Sequence, residues 1–186
     1  AARKPLLLMR TDFMDDRQHG AKVIEFNGIA AGMAPFGQRA TEFHAFMKEQ
    51  WPAVYRDWLE DNLSTPAENQ GLEQLAFGIS QAAKQIAAAF TDETLGTPET
   101  VQYKPTFLMV VQENEDNVYD QHLLEIALQK RGLRTVRRTF EQLSTQLSTG
   151  DNKRLMLEDI GAIDVVYLRA GYQYADYYSP QRHESI

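Results

Sequence analysis

The stretch that decides the fold is residues 106–138, TFLMVVQENEDNVYDQHLLEIALQKRGLRTVRR. Its first six residues, TFLMVV, form an almost continuous apolar run, which predicts a strand buried on both faces. A helical pattern follows from Asn117 to Arg131, Gly132 predicts its end, and RTVRR predicts a second short strand. Strand, helix and strand at this spacing are typical of a parallel pair joined by a crossover helix.

The residues downstream extend this pattern. A second helix is predicted from Phe140 to about Leu147, and a turn at Gly150 and Asp151 leads into RLMLE. The segment IDVVYLR predicts another buried strand. This alternation predicts an α/β fold with a mostly parallel, Rossmann-like three-layer domain. Because ligands of such sheets bind beyond the carboxyl ends of the strands, the residues after TFLMVV and after DVVYL are the candidate site.

The residues upstream predict a first part of different character. Residues 91–105, TDETLGTPETVQYKP, contain two prolines and a glycine and predict a boundary between parts 1–100 and 101–186. A strand is predicted at Leu6–Arg10, followed by a polar, turn-rich segment from Thr11 to Gly20. The further predicted elements are a strand around Val23–Phe26, a helix at 40–60 interrupted by Pro52, a loop at 62–71, and a helix with an apolar stripe at Leu72–Phe90.

Composition excludes several classes of function. The 186 residues contain no cysteine, which excludes disulfides, thiolate metal sites and cysteine nucleophiles. The formal net charge of −7 argues against a nucleic-acid or anionic-membrane surface, because both need clustered Lys and Arg. No apolar run approaches the roughly 18–20 residues that span a bilayer, and the opening residues lack a secretory pattern, so the cytoplasm is the expected compartment.

Residues 22–37, KVIEFNGIAAGMAPFG, contain a short strand that ends in glycine and alanine. Residues two apart on a strand share a face, so the strand places the carboxylate of Glu25 beside the amide of Asn27. The segment GMAPFGQR has the glycine spacing of a phosphate-binding loop, but Gln38 and Arg39 replace the lysine and the hydroxyl residue that contact phosphate and magnesium. A classical phosphate loop is therefore rejected.

Polar residues also follow the two strands at the candidate site. Glu115, Asn117 and Gln121 lie at or near a predicted helix start, where free backbone N–H groups point outward. Arg169, which is followed closely by Gly171 and Tyr172, can present a planar guanidinium to a carboxylate or phosphate. An equally simple interpretation is that Arg169 closes an internal ion pair and that the tyrosines pack. The residues of this segment alone leave both open.

Six segments in one order then carry a resemblance to a known family: MRTDFM, VIEFNGIAAG, LAFGI, QENEDNVYDQ, VRRTF and VVYLRAGY. Together they resemble eukaryotic-type glutathione synthetase. That family joins γ-glutamylcysteine to glycine with ATP and Mg²⁺, on an ATP-grasp architecture with a smaller α/β substrate domain. The resemblance implies an ATP-dependent carbon–nitrogen ligase that forms an acyl phosphate, which the amine of glycine attacks.

The resemblance also implies a role for each matching residue. Arg10 matches a family arginine that contacts the dipeptide, and Arg10 and Glu25 are the implied catalytic residues. Glu25 and Asn27 match the residues that hold Mg²⁺, with Glu25 also near ATP. The implied dipeptide-binding residues are Arg10, Ile29, Ala30, Ala31, Gly32, Glu115, Asp116, Asn117, Gln121, Arg169, Ala170, Gly171 and Tyr172.

The sequence departs from the family pattern in two respects. Serines are common in the family where this chain has Ala30 and Gly32, so hydroxyl contacts to the dipeptide are expected to be lost. The ATP-grasp subdomains are expected to lie outside this chain, in a homodimer or on a companion chain, so the chain alone is expected to show little turnover. Two alternatives stay open: a non-catalytic module that binds a γ-glutamyl peptide, and a synthetase-derived scaffold in a larger assembly.

Overall fold

The computed structural model describes residues 6–59, 68–94 and 103–177. Its chain begins with a hairpin and three helices and continues into an alternating α/β region. The strands and helices are β1 (Arg10–Asp16), β2 (Gly20–Asn27), α1 (Ala34–Gln50), α2 (Pro52–Leu59), α3 (Gly71–Thr94), β3 (Thr106–Val110), α4 (Val118–Lys130), β4 (Arg134–Arg138), α5 (Phe140–Gln146), β5 (Leu147–Thr149), β6 (Leu155–Leu157), β7 (Gly161–Ala162) and β8 (Val165–Leu168).

A parallel sheet in the order β4-β3-β8 forms the centre of the molecule. The apolar run TFLMV of β3 is its middle strand, and each of its five residues is buried. Alternate residues of β3 face opposite sides, because successive side chains on a strand point to opposite faces. The predicted α/β fold with a parallel sheet is therefore confirmed.

Two apolar cores cover the two faces of this sheet. Phe107 and Met109 of β3 pack with Ile79 of α3 and with Leu124 and Leu128 of α4. Leu108 and Val110 point the other way, and the residues packed around them come from β4, α5, β6 and the chain just before β8: Val136, Leu143, Leu157 and Ile163. Helix α3 thus shares a core with the sheet, while the division of the chain at residue 100 stays a prediction.

Two antiparallel sheets accompany the parallel one. Strands β5, β6 and β7 form a small meander beside α5, and β1 pairs with β2 as a hairpin with a bulge between Asp12 and Phe13. The hairpin exposes apolar side chains on both faces, with Phe13 at 60% and Phe26 at 64% exposure. A hairpin that is open on both faces gains little from burial.

The first strand differs from its prediction. The sequence predicts a strand at Leu6–Arg10 and turns from Thr11 to Gly20, whereas β1 occupies Arg10–Asp16 and residues 6–9 are irregular. Apolar character favoured LLLMR, but hydrogen bonding to β2 decides the strand, and polar residues such as Asp12 take part in it. Tertiary pairing outweighs local propensity here.

The helices agree with their predictions apart from their ends. The predicted helix at 40–60 is two helices, α1 and α2, which are separated at Trp51 because Pro52 has no N–H to continue the first. Helix α1 begins at Ala34, earlier than expected, and α3 extends to Thr94. Part of the predicted loop at 62–71 and of the boundary at 91–105 lies outside the described residues.

Candidate ligand site

The loop between β2 and α1, residues 28–33, is attached to the carboxyl end of β8. The Ala30 N–H donates to the Leu168 carbonyl at 3.0 Å, and the buried Tyr167 hydroxyl donates to the Ala31 carbonyl at 2.7 Å. Two non-glycine residues of the loop have positive φ, Ala30 at 50° and Met33 at 75°. A backbone held in this sparsely populated region needs surrounding contacts to maintain it, and β8 supplies them at Ala30 while Asp120 of α4 supplies one at Met33.

A buried ion pair lies directly beneath this loop. Arg169 Nη1 is 3.4 Å from Asp120 Oδ2, with side-chain exposures of 6% and 3%. The guanidinium also lies against Gly32: a Cβ built at that position would come within 2.7 Å of Arg169 Cζ and Nη2, and nearer still to Nη1. Of the two interpretations of Arg169 from the sequence, the structure shows the internal ion pair.

Asp120 also connects the loop to α1. Its carboxylate accepts hydrogen bonds from the Met33 N–H at 3.2 Å and from the Phe36 N–H at 3.4 Å. These donors are at the start of α1, where backbone N–H groups have no partner within the helix. Asp120 lies 84 residues after Phe36 in the sequence, and its carboxylate both caps the start of α1 and neutralises Arg169.

Gln121, the neighbour of Asp120 on α4, is 1% exposed. Arg137 of β4 donates to Gln121 Oε1 at 2.5 Å, and a guanidinium can only donate, so the amide must turn its oxygen toward Arg137. Gln121 Nε2 is buried without a hydrogen-bond partner. Arg137 also lies 3.4 Å from Glu125, whose carboxylate is 2.6 Å from His122 Nδ1.

The remaining residues at the start of α4 are more accessible. Glu115 is half-buried and its carboxylate accepts the Asn117 N–H at 3.0 Å, while Asp116 and Asn117 are exposed. The Asn117 side chain makes no capping hydrogen bond to the helix that it precedes. Its amide is thus available to a ligand at the carboxyl end of β3.

The segment after β8 is folded around a carboxylate. Asp176 accepts the Gly171 N–H at 2.8 Å, the Gln173 N–H at 3.1 Å, and the Gln112 amide at 3.2 Å. Burial opposes ionisation, but these donated hydrogen bonds outweigh it and lower the pKa of Asp176. The Tyr172 hydroxyl donates to Gln112 at 3.2 Å, so this segment joins the ends of β3 and β8.

The predicted magnesium residues lie in a second polar cluster, on one face of the hairpin. Arg10 pairs with Asp12 through two contacts of 2.7 and 2.8 Å, and Glu25 lies 3.8 Å from Arg10. The Asn27 amide donates to Glu25 at 3.0 Å and to Asp12 at 3.4 Å. The hydrogen bonds from Arg10 lower the pKa of Asp12, and the same pairing raises the pKa of Arg10.

The side-chain oxygen atoms of this cluster are of the type that binds a hard cation. Carboxylate and amide oxygens are the ligands that Mg²⁺ prefers, and the Glu25 side chain is 56% exposed. Within residues 6–59, 68–94 and 103–177, no three His, Asp or Glu side chains are grouped to hold a metal ion. The residues present therefore fit part of a Mg²⁺ shell, which phosphate oxygens and water would have to complete.

The structure brings most of the predicted residues to one edge of the sheet. Loop 28–33, the start of α4 and the end of β8 meet there, whereas Arg10, Glu25 and Asn27 form their own cluster on the hairpin that leads into the loop. Sequence reasoning missed four residues that hold these groups in place, namely Asp12, Asp120, Arg137 and Tyr167. Asp12 shares a strand face with Arg10, but the sequence predicted turns from Thr11 onward, so this signal could not reveal it.

Comparisons with known proteins point to one family. Residues 105–185 match the family Eukaryotic glutathione synthase. Curated relatives include glutathione synthetase of Rattus norvegicus, 31% identical over 91% of this chain and 32% of its own length. Another is the chloroplastic glutathione synthetase of Solanum lycopersicum, 30% identical over 92% of this chain and 28% of its own length.

A solved structure supports the fold. A glutathione synthetase-like effector from Globodera pallida superimposes with a TM-score of 0.61 at 18% identity, covering 88% of this chain and 36% of that one. The parallel sheet and the helices packed on it define the chain as an α/β protein. More particularly, the chain is similar to the eukaryotic-type glutathione synthetases, so the resemblance predicted from the sequence is confirmed.

The chain spans about a third of the length of the curated relatives it matches. Its identity to them of about 30% extends across the hairpin, the helices and the α/β region, since over 90% of this chain is aligned. Among the helices that the structure describes, none has both the length and the apolarity needed to cross a membrane.

Proposed function

We propose that this chain supplies the γ-glutamylcysteine site and part of the Mg²⁺ site of an ATP-dependent glutathione synthetase. The observation that carries the proposal is the meeting of loop 28–33, the α4 start and the β8 end at the carboxyl edge of a parallel sheet. Similarity to glutathione synthetases over nine tenths of the chain supports the choice of dipeptide and reaction. The acceptor is proposed to be glycine.

The residues of the chain would act by binding and positioning. Phosphoryl transfer from ATP to the cysteinyl carboxylate gives an acyl phosphate and ADP, and attack by the glycine amine forms the amide and releases phosphate. This chemistry needs charge neutralisation and alignment rather than a protein nucleophile, which suits a chain without cysteine. The exposed Asn117 amide and the backbone N–H groups of Ile29, Ala31 and Gly32 are proposed to orient the dipeptide, together with Glu115 and Tyr172.

The hairpin cluster is proposed to contribute to the metal and the reacting carboxylate. Glu25 and Asn27 would hold Mg²⁺, which when bound neutralises phosphate charge, and Glu25 would also lie near ATP. Arg10 is held by Asp12 at the hairpin end that leads into the loop, where its guanidinium can approach a carboxylate of the dipeptide. Further protein that carries the ATP-grasp subdomains, in a homodimer or as a companion chain in the cytoplasm, completes the proposed enzyme.

Calorimetric titration with γ-glutamylcysteine tests the dipeptide site. We expect binding by the wild-type chain, and we expect N117A to weaken it about tenfold through the loss of one hydrogen bond to a charged ligand. The N114A variant is the matched control, since Asn114 lies in the same loop and is also exposed. Wild-type protein that shows no heat at millimolar dipeptide would refute the proposed site.

A synthetase-derived scaffold is the second candidate function, and one observation favours it. Apolar side chains are exposed on the hairpin and on α1 and α2, among them Phe13, Phe26, Phe43 and Trp58. Such a surface fits association with further protein, whichever function that assembly has. Formation of glutathione from dipeptide, glycine and ATP by the chain with a companion polypeptide supports the enzyme, while association without turnover supports the scaffold.

A further inference from the structure

The contact between Gly32 and Arg169 carries a consequence for the ligand site. Residue 32 is buried in loop 28–33, and the Arg169 guanidinium fills the space that a side chain at position 32 would take. We infer that glycine at position 32 is what keeps Arg169 withdrawn beneath the loop, so that residue 32 determines whether this guanidinium is buried or presented. The inference rests on the proposed function only in that the loop lines the proposed dipeptide site.

The loop itself is held too firmly to move aside. The Ala30 N–H, the Ala31 carbonyl and the Met33 N–H are each hydrogen-bonded to the α/β region, at 3.0, 2.7 and 3.2 Å. Breaking such bonds in a buried setting leaves unpaired backbone groups, which is costly. A side chain added at position 32 therefore cannot be accommodated by lifting the loop at low cost.

Arg169 is the partner that can yield. Its backbone is fixed, because its N–H donates to the Val110 carbonyl at 2.8 Å, but its side chain has several soft torsions. The contact with Asp120 is long, at 3.4 Å, and Nε is buried without a hydrogen-bond partner. The guanidinium is thus incompletely satisfied in its withdrawn position, and a Cβ at residue 32 removes the space that it occupies.

Asp120 determines what is lost when the guanidinium leaves. Its carboxylate is 3% exposed and would keep only the hydrogen bonds from the Met33 and Phe36 N–H groups. A buried carboxylate that loses its cation is destabilised. Glycine at position 32 therefore stabilises the start of α1 indirectly, by leaving room for the cation that Asp120 needs.

Chemical modification of arginine followed by peptide mass spectrometry tests the inference without any ligand. In the wild-type chain we expect phenylglyoxal to modify Arg169 much more slowly than the exposed Arg17. In G32A we expect Arg169 to react at least about tenfold faster than in the wild type, because local burial no longer protects it. The matched control is G28A, because a Cβ at Gly28 in the same loop meets nothing within 4 Å, and its Arg169 should stay protected.

Arg169 that reacts as fast as Arg17 in the wild type, or that stays protected in folded G32A, would overturn the inference. A double-mutant cycle tests the inference even if the G32A variant folds poorly. If the two positions compete for space, G32A should lower the urea midpoint less in an R169M background than in the wild type. Additive losses of stability would contradict the competition.

The dipeptide titration separates this inference from the proposed function. We expect G32A to bind γ-glutamylcysteine at least about tenfold more tightly than wild type, because the presented Arg169 guanidinium can pair with a carboxylate of the dipeptide, and G28A to bind it normally. If G32A exposes Arg169 but leaves the affinity for the dipeptide unchanged, the consequence for the ligand site is wrong. The role of Gly32 in keeping Arg169 buried would still stand. Wild-type protein that does not bind the dipeptide would refute the proposed function, while the modification rates still decide the position of Arg169.

Discussion

Several residues in this chain are held in place by partners that are distant in sequence. Tyr103, Arg154 and Asp164 show this at the amino edge of the parallel sheet, opposite the ligand edge. The Tyr103 hydroxyl donates to Asp164 at 2.8 Å and accepts from Arg154 at 2.9 Å, and the Arg154 guanidinium lies 4.0 Å from the ring centre of Phe90. Arg154 also pairs with Asp164, so the network joins α3 to the segments before β3, β6 and β8.

This network predicts an unusual alkaline titration. Burial, followed by the hydrogen bond to Asp164, raises the pKa of Tyr103 to about 12. Because the folded pKa exceeds the ordinary value near 10, the stabilisation by neutral Tyr103 is complete below about pH 10 and is lost as the pH rises through 12. Ultraviolet titration of tyrosinate should show a phase with a midpoint of about 12 that disappears in Y103F, while the buried Tyr167, whose pKa burial also raises, still ionises late in that variant.

The Y119F variant is the control, since it removes a tyrosine that is 73% exposed and should leave that late phase in place. Loss of the late phase from both variants, or from neither, would contradict the assignment to Tyr103. The same titration followed by circular dichroism reports whether unfolding accompanies the ionisation.

Helices and strands of this chain differ in how well they could be predicted from their own residues. Strand β3 and helix α4 can be predicted from their own residues, because a continuous apolar run and a glycine at the helix end are local signals. Strand β1 could not be placed in this way, since its polar residues become a strand only through pairing with β2. The break between α1 and α2 at Pro52 was predictable, because the missing N–H of proline disrupts the helix in which it lies.

Helix α5 provides a test of local stabilisation. Thr139 caps it in a reciprocal box: its hydroxyl accepts the Gln142 N–H at 3.2 Å, and Gln142 Oε1 accepts the Thr139 N–H at 2.9 Å. We expect T139A to reduce the free energy of unfolding by about 1 kcal/mol, because it removes this cap. Urea denaturation measures the change.

A threonine within the same helix gives the matched control. Thr145 is exposed, and its hydroxyl donates only to the Gln142 carbonyl of its own helix at 3.2 Å. We expect T145A to change the free energy of unfolding by less than about 0.5 kcal/mol. Equal losses in both variants would show that the capping box does not stabilise α5.

The whole molecule combines a well-buried sheet with a hairpin that its described neighbours hardly cover. The sequence was sufficient to predict the parallel sheet, the family and the edge at which the loop, α4 and β8 meet. It could not predict that Arg169 would be buried against Asp120 and Gly32, because a pairing between residues 120 and 169 leaves no periodic signal in either segment. The same holds for Arg137, whose contact with Gln121 depends on the packing of α4 against β4.

This unequal burial predicts a gradient of local stability. Amide protons of β3, where Phe107, Leu108 and Met109 are fully buried, should exchange only through global unfolding. Amide protons of the hairpin should exchange at least about 100-fold faster, because Phe13 and Val23 contribute little buried area there. Hydrogen exchange read by mass spectrometry at low denaturant measures both. Equal protection of β1 and β3 would contradict the gradient and indicate that the hairpin is covered in solution.

The attachment of loop 28–33 to β8 also sets an order of events when the chain folds. Ala31 precedes its hydrogen-bond partner Tyr167 by 136 positions, and Met33 precedes Asp120 by 87. Contacts between such distant positions carry a large loop-closure cost and form slowly. During synthesis, Ala30 is made early, but the hydrogen bond that holds its left-handed conformation forms only after β8 has joined the sheet. The ligand edge is therefore among the last parts of the molecule to assemble.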